Sequence, residues 1–107
     1  MALADDEGIV SFLIAQIIQG QSEILTLCTD INKRKNGMAK KILHEFVEFC
    51  RSANISEIFL EVCENNHPAI RLYEGVGFSQ IAKRSGYYSC SDGKKLDAFV
   101  LKYHVQS

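Results

Sequence analysis

Glu61 and Tyr73 are the residues whose types and placement could do acid–base chemistry in this sequence. Glu61 lies in the apolar run Ile58–Cys63, where Ile58, Leu60 and Val62 fall on one side of an extended chain and Phe59, Glu61 and Cys63 on the other. The run predicts a strand carrying a carboxylate among apolar neighbours. Asn65, Asn66, His67 and Pro68 form a junction. Pro68, the single proline of the chain, suits a first helical position, and Gly75 and Gly77 close a short helix over 68–74. Tyr73 rides on that helix. A strand-borne carboxylate and a helix-borne phenol joined by one turn of chain can serve as general base and general acid. The structural alternatives are an ion pair for Glu61 and a hydrogen-bonded core-edge aromatic for Tyr73. Asn66 also suits a helix N-cap or an Asx-turn.

A second group suits an anion. Lys33, Arg34, Lys35, Lys40 and Lys41 are five of the twelve basic residues, and they surround Gly37. A helix predicted over 37–53 would begin there. Exposed N–H groups, the positive end of the helix dipole and mobile cations together match a phosphate; a merely solvated helix start is the other reading. Within the helix, Met38, Ile42, Leu43, Phe46, Val47, Phe49 and Cys50 form an apolar stripe. Lys40, Lys41, His44, Glu45, Glu48 and Arg51 form its polar side.

The elements that position these groups follow from periodicity and turn residues. Residues 8–18 predict a strand too apolar for an exposed edge. Gln19-Gly20-Gln21-Ser22 predicts a turn and 23–29 an antiparallel partner strand, with a loop over 30–36. After the strand–helix unit come a strand over 78–85, a turn at Ser91-Asp92-Gly93 and a return strand over 97–105. The order is β-β-α-β-α-β-β, in which the crossover makes the second and third strands parallel.

Two motifs carry a resemblance. Asn66, Tyr73, Gly77 and Phe78 match N-x-x-A/G-x-x-x-Y-x-x-x-G-F, and Arg34, Gly37 and Ala39 match Q/R-x-x-G-x-G/A. Together they resemble the GNAT acyl-CoA N-acyltransferase superfamily, most of all its bacterial branch that acetylates the N-terminal alanine of a ribosomal protein. The tail from Lys83 to Tyr103 is similar to that branch's closing hairpin. Ile31 stands where the family usually has proline, and Lys35, Asn36 and Met38 are less typical of its loop.

The resemblance implies an α/β (α+β), mostly antiparallel sheet with a central parallel β-α-β pair, as a single, partial domain over 1–107. It implies acetyl-CoA as co-substrate and no metal. Its pyrophosphate would rest on the backbone of Lys35, Asn36, Gly37, Met38, Ala39 and Lys40, and its pantetheine arm beside the backbone of Leu27, Cys28 and Thr29. Asn66 would contact CoA. Glu61 and Tyr73 would be base and acid, and Tyr87 and Tyr88 would wall the acceptor site. Histidine is not needed at position 67. The acceptor would be a protein or peptide N-terminus, a ribosomal protein first among them. The family normally has a strand and one or two helices ahead of the strand over 8–18, and this chain is expected to lack them, which would leave a sheet edge open to a homodimer. A non-catalytic CoA-binding module and transfer to another primary amine are the alternatives.

Composition limits the rest. With 107 residues, 47% hydrophobic and 23% charged, the chain reads as one small soluble domain. A net charge of −1 argues against a general nucleic-acid binder. The apolar run 9–18 is too short to span a bilayer and follows Asp5, Asp6 and Glu7, the wrong charge for a signal peptide. Cys28, Cys50, Cys63 and Cys90 lack zinc-knuckle spacing and read as reduced thiols in a cytoplasmic protein.

Overall fold

Strict alternation in the run before Asn65 sets the centre of the sheet. A computed structural model describes residues 1–5, 8–29, 37–89 and 92–106. It contains β1 (Ala2–Asp5), β2 (Gly8–Ile18), β3 (Gln21–Thr29), α1 (Met38–Ser52), β4 (Glu57–Cys63), α2 (His67–Val76), β5 (Ser79–Ser89) and β6 (Lys95–His104). Among the described residues these strands form one sheet in the order β1-β2-β3-β4-β6-β5. All neighbours are antiparallel except β3 and β4, which run parallel. The expected mixed sheet with one parallel crossover pair is therefore present.

One expectation is corrected at the start of the chain. A further strand, β1, precedes β2 and pairs with it from Ala2–Phe12 to Asp5–Gly8. Its four residues are too few to show a period. It is held instead by main-chain bonds: the terminal amine of Met1 donates to the Leu13 carbonyl at 2.9 Å, and Leu13 N–H donates to the Met1 carbonyl at 2.8 Å. The apolar β2 is thereby kept off the sheet edge. Several boundaries also move. The turn contracts to Gln19-Gly20, both at positive φ (49° and 80°), the geometry of a tight hairpin, so β3 starts at Gln21. The second helix extends to Val76, the fifth strand runs on to Ser89 and β6 begins at Lys95.

The inner face of the sheet packs on both helices. Leu13, Ile24, Ile58, Leu60, Val62 and Leu101 meet Ile42, Leu43, Phe46, Val47 and Cys50 of α1, with Ala69, Leu72, Tyr73 and Val76 of α2 against the same cluster. Burying each large aliphatic side chain contributes about 1.5–3 kcal/mol before entropy is counted. Phe49, expected in the stripe, is 45% exposed and stacks on Phe46 with ring centres 6.1 Å apart. The outer face leaves Phe12, Ile14 and Leu25 exposed. Among the described residues no helix is long and apolar enough to cross a membrane.

Candidate active site

The site begins where two strands part. β3 pairs with β4 from Gln21–Glu57 to Ile24–Leu60, and the register ends there, although β3 continues to Thr29 and β4 to Cys63. The cause is local. Opposite Ile14 and Ala15, β3 presents Thr26 and Ile24, so Leu25 is an extra residue. A bulge of this kind bends its strand, and β3 turns with β2 away from β4.

The gap continues into a cleft of about 370 Å³ whose walls include Leu27 and Cys28 of β3, Ala39 of α1, and Asn66, Ala69 and Tyr73 around α2. Five of the residues singled out from sequence thus share one hollow. A further hollow of about 400 Å³, bounded by Arg51, Asn54 and His104, gathers none of them.

The start of α1 forms one wall. Gly37 is its N-cap, with φ 71° and ψ 16°, a left-handed conformation that costs any residue with a Cβ. Among the described residues no side chain caps the helix, and no acid occupies its first turn. The leading N–H groups of such a helix have no partner within it. Lys40 and Lys41 are exposed beside them, and Ala39 is small enough to leave the cleft open. Met38 is half-buried at the first helical position. Lys35 and Asn36 lie outside the described residues, and of Thr29 only the backbone is described.

Tyr73 forms the opposite wall. Asn66 accepts the Ala69 N–H at 3.4 Å and caps α2, with proline in the first turn. Asn66 therefore fills its expected N-cap role while lining the cleft. Gly77 ends the helix at φ 127°, and its N–H donates to the carbonyls of Tyr73 and Glu74. The Tyr73 ring meets Phe78, which in turn meets Tyr103 at 5.4 Å between ring centres. Burial, and secondarily the Cys28 thiol, push the Tyr73 phenol above its ordinary value, so it is held protonated. His67 is an exposed first-turn residue of α2 and lies outside the cleft walls.

Glu61 takes a different position. It is the first β4 residue beyond the last paired one, Leu60, and its side chain stands on the outer face while Leu60 and Val62 are buried. There it accepts a hydrogen bond from Arg84 Nη1 at 2.7 Å. The Arg84 guanidinium lies 4.4 Å from the centre of the Tyr87 ring, and Tyr87 meets Tyr88 edge-on at 5.2 Å. Burial raises the Tyr88 phenol, with Cys63, Glu61 and Tyr87 adding to the shift. The structure thus divides the candidate groups. Leu27, Cys28, Ala39, Asn66 and Tyr73 line the cleft, whereas Glu61, Tyr87 and Tyr88 meet on the outer face at the mouth of the gap.

Sequence reasoning missed Arg84, the residue that ties the outer group together. It lies in a Lys-Arg-Ser-Gly-Tyr-Tyr run that reads as a strand end. The usable signal was Gly86, since a glycine inside a strand pattern marks a bulge. The Glu61 ion pair is the structural role already weighed for that carboxylate.

Comparison with known proteins adds independent findings. Residues 1–78 match the model of the acetyltransferase (GNAT) family. A ribosomal protein bS18-alanine N-acetyltransferase of Haemophilus ducreyi is 31% identical over 101 residues, covering 94% of this chain and 70% of that protein. The crystal structure of the Escherichia coli ribosomal-protein-S18-alanine N-acetyltransferase superposes with a TM-score of 0.92 at 24% identity, over 99% of this chain and 68% of that one. Arabidopsis thaliana NAA60 in complex with acetyl-CoA superposes with a TM-score of 0.81 at 25% identity, over 92% of this chain and 67% of that one. The chain spans about two thirds of the length of the curated relatives it matches.

Proposed function

The chain belongs to the acetyltransferase (GNAT) family, and from that premise we propose that it moves an acetyl group from acetyl-CoA directly to a primary amine, the N-terminal α-amine of a protein. The relatives named for acetylating the alanine of ribosomal protein bS18 make that terminus the first acceptor to test. The observation that carries the reading is the cleft at the parting of β3 and β4, walled by Tyr73 on one side and the start of α1 on the other.

In this reading the backbone N–H groups from Gly37 to Lys40 hold the diphosphate. Lys40 adds positive charge. The backbone of Leu27, Cys28 and Thr29, free of β4, pairs with the amide-bearing pantetheine arm as a strand edge pairs with a peptide. A backbone N–H there also faces the thioester oxygen, where negative charge grows. Asn66 contributes an amide contact.

Glu61 receives the proton of the acceptor ammonium, through water, from the outer face. The amine nitrogen then bonds to the thioester carbon. As the carbon–sulfur bond breaks, the nitrogen, now carrying one proton too many, releases it to solvent, and Tyr73 gives its own proton to the departing sulfur and is restored from solvent. Tyr87 and Tyr88 flank the acceptor's entry. Burial of the Tyr73 phenol supports the donor role, since a phenol held neutral has a proton to give.

The test is transfer of isotope-labelled acetyl from acetyl-CoA to an alanine-starting peptide, alongside one bearing only internal lysines. Labelling of the α-amine supports the proposal. Preference for lysine overturns the α-amine assignment. Protection of the fold by acetyl-CoA without transfer identifies a non-catalytic binding module.

A further inference from the structure

We infer that the Glu61 carboxylate and the Tyr87 ring form a seat for the acceptor's ammonium group, and that Arg84 occupies this seat as an internal stand-in when no acceptor is bound. This rests on the amine-acceptor reading above and names the chemistry by which that site would recognise its substrate.

The seat is visible because it already holds a cation. Arg84 Nη1 donates to Glu61 Oε1 at 2.7 Å, and the guanidinium carbon is 4.4 Å from the Tyr87 ring centre. Glu23 adds a second negative charge acting on Arg84. A carboxylate beside an aromatic face is the combination that binds an organic cation by charge, hydrogen bond and ring quadrupole together. An ammonium carries the same charge and three donors.

Local sequence builds this arrangement at some length. Arg84 lies on β5 and must cross β6 to reach β4. It stands opposite Ala98, which stands opposite Cys63. Ala98 is fully buried even though this register puts it on the outer face, and its small side chain leaves the crossing open. In a regular strand, Arg84 and Tyr87 would point to opposite faces. Between Arg84 and Tyr88, however, β5 carries extra residues. Gly86 takes φ 62° there and donates its N–H to Asp97 Oδ1 at 2.8 Å. That bulge brings the Tyr87 ring to the guanidinium.

The occupant can leave. The Arg84 side chain is 53% exposed and that of Glu61 27%, and ion pairs so close to water are weak. An arriving ammonium can therefore replace the guanidinium with little net cost, and Arg84 acts as a competitor of the acceptor. An acceptor with a blocked, uncharged terminus has nothing to exchange.

The experiment measures equilibrium binding by calorimetry. The ligands are a short peptide with a free alanine α-amine and the same peptide N-acetylated. The proteins are the wild type, Arg84→Gln and Arg84→Lys, with thermal melting to verify the fold. Arg84→Gln should bind the free-amine peptide roughly two- to five-fold tighter than wild type. Arg84→Lys should match wild type, and the acetylated peptide should not distinguish the three. Equal or weaker binding by Arg84→Gln overturns the inference, as does an absence of binding to any of the proteins. Acetyl transfer by the wild type is read separately. Transfer without the affinity gain removes the seat and keeps the enzyme; the gain without transfer does the reverse.

Discussion

The Tyr73 ring stands edge-on to Phe78 at 5.8 Å between ring centres, while the Phe78 N–H donates to the Tyr73 carbonyl at 3.0 Å. Side chain and main chain are thus tied to the same partner, and Phe78 is buried in the core. The phenol that lines the cleft is held by the end of its own helix and not by the cleft.

Replacing Tyr73 with Phe keeps the ring and removes only the hydroxyl group. Turnover should fall by about 10²–10⁴-fold, the usual range for losing a general acid. The KM for acetyl-CoA should change little. Steady-state kinetics against both substrates decides the matter, and an unchanged kcat would remove Tyr73 as donor.

Gly77→Ala tests the anchor. A Cβ there would lie 2.8 Å from Tyr103 Cε2, at a backbone φ of 127°. Strain and overpacking together should cost about 1–3 kcal/mol. For a domain of this size each kcal/mol lowers Tm by about 4–8 °C. A Tm within a degree of wild type would mean that the Tyr103 ring swings aside freely.

At Gly37 two substitutions separate backbone from ligand effects. Among the described residues an added Cβ meets nothing within 4 Å, so Gly37→Ala should cost chiefly the left-handed strain, about 1 kcal/mol. Gly37→Glu adds a negative charge at the positive end of α1 and should weaken acetyl-CoA binding roughly tenfold beyond the alanine variant. Equal affinities for the two variants would place the diphosphate elsewhere.

The pH dependence of transfer has two sides. An α-ammonium, with an ordinary pKa of about 7.7–8.0, must lose its proton to attack, so kcat should rise with pH as the bound ammonium is deprotonated. Burial and Cys28 hold the Tyr73 phenol above its ordinary value, so no descending limb should appear until beyond about pH 10. A limb centred below pH 9 would point to another proton donor.

Stability should decline at alkaline pH. Burial raises the Cys50 thiol and the Tyr73 and Tyr88 phenols. Between the unfolded and folded values of each group, the folded chain keeps a proton that the unfolded chain releases. Unfolding therefore becomes easier as pH climbs. The contribution is intact below the unfolded thiol value of about 8.5 and is lost progressively from there to beyond about pH 10. Melting curves from pH 7 to 11 should show the decline, and Tyr73→Phe should remove part of its upper portion. A Tm rising between pH 9 and 11 would contradict the sign.

What the sequence determined by itself was local. Alternation at Ile58–Cys63 named the inward residues of β4, helical spacing named most of the buried stripe of α1, and Asn66, Pro68 and Gly77 bounded α2. Each of these reads out in a single residue's environment or a short period. What only the tertiary structure decided was which residues meet across elements. β1 had too few residues to announce itself, and its register depends on the Met1–Leu13 bonds. The parting of β3 from β4 depends on the extra Leu25, which is visible only against its partner strand. The Glu61–Arg84–Tyr87 group depends on a bulge in β5 and a small residue on β6 together. Pairing register is a relation between distant segments, and no window along a single strand contains it.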